Sequence, residues 1–138
     1  MANVRMLKVS RDKDPENILR EEMQQERAQV LGRAGEKLAA AIAKMRGIED
    51  TIEERLKKFE LDSKRYEGKV ISGKSASLRH EFIGEINREI GRYNRAREYA
   101  KLRYYYLIVT REAMGMRRHH WVEELYRIPP RKALLRNI

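Results

Sequence analysis

Cysteine is absent from all 138 residues, which removes disulfides, thiolate metal sites and cysteine nucleophiles. Proline occurs three times, tryptophan once and phenylalanine twice, and glycine is held to eight. No apolar run approaches the roughly 18 residues that a bilayer-spanning helix requires. The first ten residues, Met1 to Ser10, lack the apolar centre of a signal peptide. A cytoplasmic protein without a membrane partner is the default expectation. Catalytic signals are missing as well. Ser72, Ser75 and Ser77 have no histidine–acid pair near them in sequence, and no paired carboxylates suggest a pocket, so no enzyme and no cofactor are expected.

What is present is charge and helix-forming residues. Charged residues make up 38% and apolar ones 41%, a balance that suits long helices or coiled coil better than an α/β domain. The length allows one domain with one modest core. Net charge is +10, and it is unevenly spread. Residues 1–62 carry 13 basic and 13 acidic side chains, residues 63–87 carry 5 and 3, and residues 88–138 carry 13 and 5. The excess therefore belongs to the last third, which points towards an anionic partner.

Residues 1–13 read as an N-terminal arm. Asp14-Pro15-Glu16 then forms a helix start, with Asp as N-cap and Pro in the first turn. Over 14–63 the positions Leu31, Ala34, Leu38, Ala41, Met45, Ile48, Ile52 and Phe59 fit one heptad frame. Residues 64–76 lose that period and form a loop. A second helix over 77–115 carries Phe82, Ile86, Ile90, Tyr93, Arg97, Ala100, Tyr104, Leu107 and Met114 at spacings of three and four, with Arg97 as its polar exception. Gly115 suits its end. A short third helix over 117–128 places Trp121, Val122, Leu125 and Ile128 on one face. Pro129-Pro130 stops it, and 129–138 is a basic tail with one further turn conceivable at Ala133–Leu135.

The run Tyr104–Val109 is apolar or aromatic on every side of a helix, so a single neighbour cannot cover it. The predicted architecture is all-α: a long antiparallel helical hairpin, coiled-coil-like, with a short C-terminal helix at its open end. Two helices share one seam, so oligomerisation into a helical bundle, most simply a dimer, is the expected supplement. Tyr104, Leu107, Ile108, Met114 and Trp121 are the expected core and oligomer contacts. If they are core, truncating Tyr104 or Trp121 costs several kcal/mol.

Three further signals have a functional and a plain reading. Gly68 to Ser75 matches the phosphate-binding pattern G-x-x-x-x-G-K-[ST], with Lys74 and Ser75 as possible anion contacts. The chemistry needs a buried strand before the loop, whereas the residues upstream look like a charged helix end. The plain reading is a basic helix connector. His119 and His120 lie near Glu123 and Glu124, but a catalytic metal needs at least three protein ligands, and a surface histidine pair suffices. Arg92, Arg95, Arg117, Arg118 and Arg131, interleaved with tyrosines, are possible nucleic-acid contacts of low sequence specificity, against a solvated helix face. The functional expectation is a non-enzymatic assembly or adaptor protein acting through protein–protein contacts. A nucleic-acid-binding module is the alternative, and phosphate or nucleotide binding at 68–75 a remote one.

Overall fold

The computed structural model describes residues 14–65 and 72–136. Three helices follow in order: α1 (Pro15–Arg65), α2 (Ser72–Ala113) and α3 (His120–Leu125). No strand occurs among the described residues. Nor, among those residues, is any helix long and apolar enough to cross a membrane. The predicted arm 1–13 and the centre of the predicted loop, 66–71, lie outside the described residues.

Helix α1 begins as its sequence dictates. The Asp14 carboxylate accepts a hydrogen bond from the Glu16 amide at 3.4 Å, and the Asp14 carbonyl accepts one from Ile18. Pro15 occupies the first helical position, where a missing N–H costs nothing. At 51 residues the helix is about 75 Å long. It runs two residues past the predicted end, and α2 starts five residues before its predicted start, so the connector is shorter than the 64–76 loop.

The two long helices pack antiparallel along one seam. Near the connector, Phe59 and Phe82 stack with ring centroids 3.9 Å apart and planes 8° apart. Arg55 and Glu85 meet alongside at 3.9 Å. Further along, α1 contributes Leu38, Ala41, Ile42, Met45, Ile48 and Ile52, and α2 contributes Ile86, Ile90, Tyr93, Ala96, Ala100 and Leu107. Every buried α1 residue except Ile42 lies on the predicted heptad frame, and every buried apolar α2 residue except Ala96 lies on its predicted stripe.

Helix α2 ends where Gly115 adopts φ +86°, a conformation costly for any side chain with a Cβ. The Met116 amide bonds back to the Arg111 carbonyl at 3.0 Å, and the Gly115 amide bonds to that of Glu112 at 2.9 Å, which closes the helix. The third helix is shorter than predicted, six residues rather than 117–128. Residues 116–119 are spent in crossing over, and Pro129 lacks the N–H that a longer helix would need. Val122 is fully buried and joins the core.

The predicted basic tail is a packed strap that runs back along α2. Asn87 and Asn94 hold it by its backbone. The Asn94 side-chain amide donates to the Lys132 carbonyl at 3.0 Å and accepts from the Lys132 N–H at 2.9 Å. Asn87 does the same for Leu135, at 3.0 and 2.7 Å. Arg97 Nε donates to the Pro129 carbonyl at 2.8 Å. The spacing explains the match. Seven helical residues advance about 10.5 Å, and three extended residues about 10 Å. Antiparallel chains with those repeats stay in step.

Lys132 also closes the groove between the helices. Its ammonium lies 3.4 Å from the Glu49 carboxylate on α1 and 5.0 Å from the centroid of the Tyr93 ring. One side of the hairpin is thereby covered by α3 and the strap. Replacing Asn94 by Ala should cost about 1–2 kcal/mol for two net hydrogen bonds, and Asn87→Ala less because its site is exposed. Hydrogen exchange checks the assignment: the Lys132 amide should lose protection in Asn94→Ala and the Leu135 amide in Asn87→Ala.

Candidate protein-interaction site

Among the described residues, none covers the side of the hairpin away from the strap, and its chemistry is aromatic and basic. On α2 the positions Arg88, Arg92, Arg95, Tyr99, Leu102, Tyr106 and Val109 alternate spacings of four and three, so they share one face. Helical geometry turns this face away from the buried stripe of Tyr93, Ala100 and Leu107. Tyr99, Leu102, Tyr106 and Val109 are all exposed although each is large and apolar or aromatic. The outer face of α2 is thus basic towards the connector and aromatic towards the open end.

The aromatic part is held in place. The Arg103 guanidinium lies 5.1 Å from the Tyr99 ring centroid and 5.9 Å from that of Tyr106, and its Nε donates to Tyr99 Oη at 2.9 Å. Cation–π contact of this kind is worth about 0.5–1 kcal/mol at exposed sites. It fixes two rings and one charge as a ridge. Beside the ridge, Val30, Arg33, Ala34 and Lys37 of α1 line a shallow groove with Arg103 and Tyr106. Three of the six lining groups are cations, and none is a carboxylate.

The predicted contact residues divide. Leu107 is buried in the seam, Tyr104 and Ile108 are half-buried against it, and Met114 is half-buried in the turn after α2. Trp121, expected as a core or oligomer contact, lies outside the core of the single chain: it is 47% exposed, and Val122 takes the buried position at 0%. The reason is the entry into α3. Arg111, only 8% exposed, lies 4.7 Å from the indole centroid and anchors the crossover between α2 and α3. Its Nη2 donates to the Arg118 carbonyl at 3.0 Å and its Nε to His119 Nδ1 at 3.2 Å. Accepting at Nδ1 leaves His119 Nε2 to carry the proton towards Glu112, 3.2 Å away. His119 is therefore occupied with Arg111 and Glu112. Among the described residues no three His, Asp or Glu side chains gather into a metal site.

The predicted nucleic-acid contacts occupy three regions. Arg92 and Arg95 lie on the outer face of α2, with Arg92 paired to Glu89 at 3.1 Å. Arg117 and Arg118 sit in the crossover, and Arg131 sits on the strap beside Lys132. All five are exposed. Lys74 and Ser75 fall in the first turn of α2, and their side chains lie outside the described residues. Helix α1, reaching Arg65, precedes that connector where a phosphate-binding loop would need a strand. Sequence reasoning passed over Asn87 and Asn94. Their only signal was the seven-residue spacing of two weak helix formers.

Two tyrosines, the buried Tyr93 and the half-buried Tyr104, tie this architecture to pH. Burial raises the Tyr93 hydroxyl above its ordinary 10.0, and the Glu49 carboxylate that accepts its hydrogen bond raises it further. Burial, then the charge of Glu123, raises Tyr104. The folded chain then holds these protons more tightly than the unfolded one. Their stabilisation is complete below about pH 10 and is lost as pH rises through the folded values. Denaturant midpoints should fall above pH 10, and Tyr93→Phe should shrink that fall. A second prediction concerns α3. Val122→Ala should cost about 2 kcal/mol and Trp121→Ala about 1 kcal/mol or less, read from urea midpoints. No protein-family model, no curated protein and no solved structure matches the chain.

Proposed function

We propose that the protein is a non-enzymatic helical assembly or adaptor protein that acts through protein–protein contacts and forms a homodimer. One observation carries the reading: Tyr99, Leu102, Tyr106 and Val109 form an exposed stripe on the side of α2 opposite the core. Scattered apolar residues on a surface need no explanation, but a contiguous heptad-spaced stripe beside a groove is what a partner helix requires. The strap covers one groove of the hairpin and leaves this one open. A partner helix with apolar and acidic side chains fits it, because Arg33, Lys37 and Arg103 rim the floor.

The second reading is nucleic-acid binding, favoured by the exposed Arg92, Arg95, Arg117, Arg118 and Arg131. Other cations of the basic third are committed inside the molecule: Arg97 to the strap, Arg111 to the crossover and Lys132 to Glu49. Two measurements separate the readings. Sedimentation across micromolar concentrations should show a dimer, and Tyr106→Ala should shift it towards monomer with unchanged helical content. Binding to mixed-sequence DNA and RNA should be weak, without the steep fall of log affinity with log salt that released counterions produce. A concentration-independent monomer together with a salt slope of several units, flattened by replacing the five arginines with Ala, would establish the second reading instead.

A further inference from the structure

We infer that the dimer forms by antiparallel pairing of the N-terminal part of α1 with itself, with Val30 on the two-fold axis. The inference rests on the self-association proposed above and assigns it a surface.

The starting point is a mismatch in length. Phe59 lies against Phe82 and Arg55 against Glu85, so carrying that antiparallel register along the hairpin puts Ala113 level with about residue 28 of α1. The groove shared by Ala34 and Tyr106, and by Lys37 and Arg103, keeps the same register. The first dozen or so residues of α1, about 20 Å, therefore extend past the end of α2. Every residue from Asp14 to Val30 is exposed, including Ile18, Leu19, Met23 and Val30. A helix of that length is marginal in water without a packed face.

That overhang carries its own heptad stripe. Leu19, Met23, Glu26, Val30, Arg33 and Lys37 follow spacings of 4, 3, 4, 3 and 4. The stripe lies beside the core seam and not on it, and its second half is the wall of the open groove. Its charge changes sign at Val30. On the stripe Glu26 precedes that residue, with Glu22 on one flank and Arg27 on the other, while Arg33 and Lys37 follow it, joined by Arg103 from α2. A parallel copy would set acid against acid and base against base. An antiparallel copy, turned about an axis at Val30, sets Glu26 beside the partner's Arg33 and Glu22 near the partner's Lys37. It also lays Met23 on the partner's Lys37 stem and Leu19 over the partner's exposed Ala40, whose small side chain allows close approach. Each contact occurs twice, as an isologous interface requires. The overlap from residue 19 to 41 spans about 33 Å, with Tyr106 as the flanking wall on either side.

The absence of native cysteine makes the geometry directly testable. In the full chain, Val30→Cys should oxidise predominantly to a disulfide dimer, because residues on the axis come within disulfide range. Leu61→Cys, exposed at the far end of α1, should cross-link only at the rate of random collision. The charge pattern gives an independent readout. Glu26→Arg alone and Arg33→Glu alone should each weaken the dimer about tenfold in sedimentation, and the two together should restore it. Val30→Cys cross-linking no faster than Leu61→Cys, or a double variant as weak as the singles, overturns the inference. If the unmodified chain still sediments as a dimer in that case, self-association stands on another surface. If the unmodified chain is a monomer, as it would be were its own first thirteen residues to cover the overhang, both readings fail.

Discussion

The seam between α1 and α2 is the constraint on which everything else in this protein depends. A pair of helices joined along one line buries a single stripe on each, and each groove beside that line is an unsolved problem. The chain solves one of them with its own C-terminus. Lys132 is the centre of that solution, because its backbone pairs with Asn94 while its ammonium meets Glu49 and the Tyr93 ring. Glu49 and the Tyr93 hydroxyl also interact with each other. Three segments distant in sequence are therefore fixed at one point: mid-α1, mid-α2 and the strap. An extended segment without internal helical bonds can hold such a place only if its backbone groups find partners, and the two asparagines supply them.

Much of this was legible in the residues, and the part that was not has a physical reason. Heptad spacing located the seam because burying one stripe of a helix imposes a period on sequence. Arg97 broke that period without explanation until the strap placed the Pro129 carbonyl beside it. The strap itself leaves almost no trace in sequence. Hydrogen bonds to backbone are indifferent to the side chains of the segment they hold, so Arg131 to Arg136 reads as a solvated basic tail. Which of Trp121 and Val122 enters the monomer's core was hidden for a related reason. Periodicity ranks neighbouring positions equally, and the choice between Trp121 and Val122 is made by the crossover that Arg111 anchors. For the interaction site, the aromatic run at Tyr104–Val109 signalled too much apolar surface for one partner. It did not signal which rings turn inward, because that depends on the register with α1.

The positive charge of the last third has two different physical roles, and the total conceals the division. Arg97, Arg111 and Lys132 are internal fasteners, each engaged with a carbonyl, a ring or a carboxylate. Charge-assisted hydrogen bonds of this kind are the stronger sort, and they suit a protein with little core to spare. Arg103 is intermediate: it stiffens Tyr99 and Tyr106 while leaving its charge at the surface. Glu98 and Glu49 offset the charges of Arg97 and Lys132, whereas Arg111, bonded to neutral groups, keeps its charge and adds it to the field of the exposed cations.

The open groove and the overhang of α1 are two consequences of one asymmetry. Helix α1 has 51 residues and α2 has 42, and the chain reverses once, so a single hairpin cannot match both ends. At the connector end the stacked Phe59 and Phe82 fix the register, and all the excess length is driven to the open end. There the excess helix is acidic and apolar, while the neighbouring groove is basic and aromatic. These properties are separated within one molecule, because the overhang points away from the groove. In the antiparallel dimer proposed above they would meet across the two-fold axis, and that would give the surplus length a covered face.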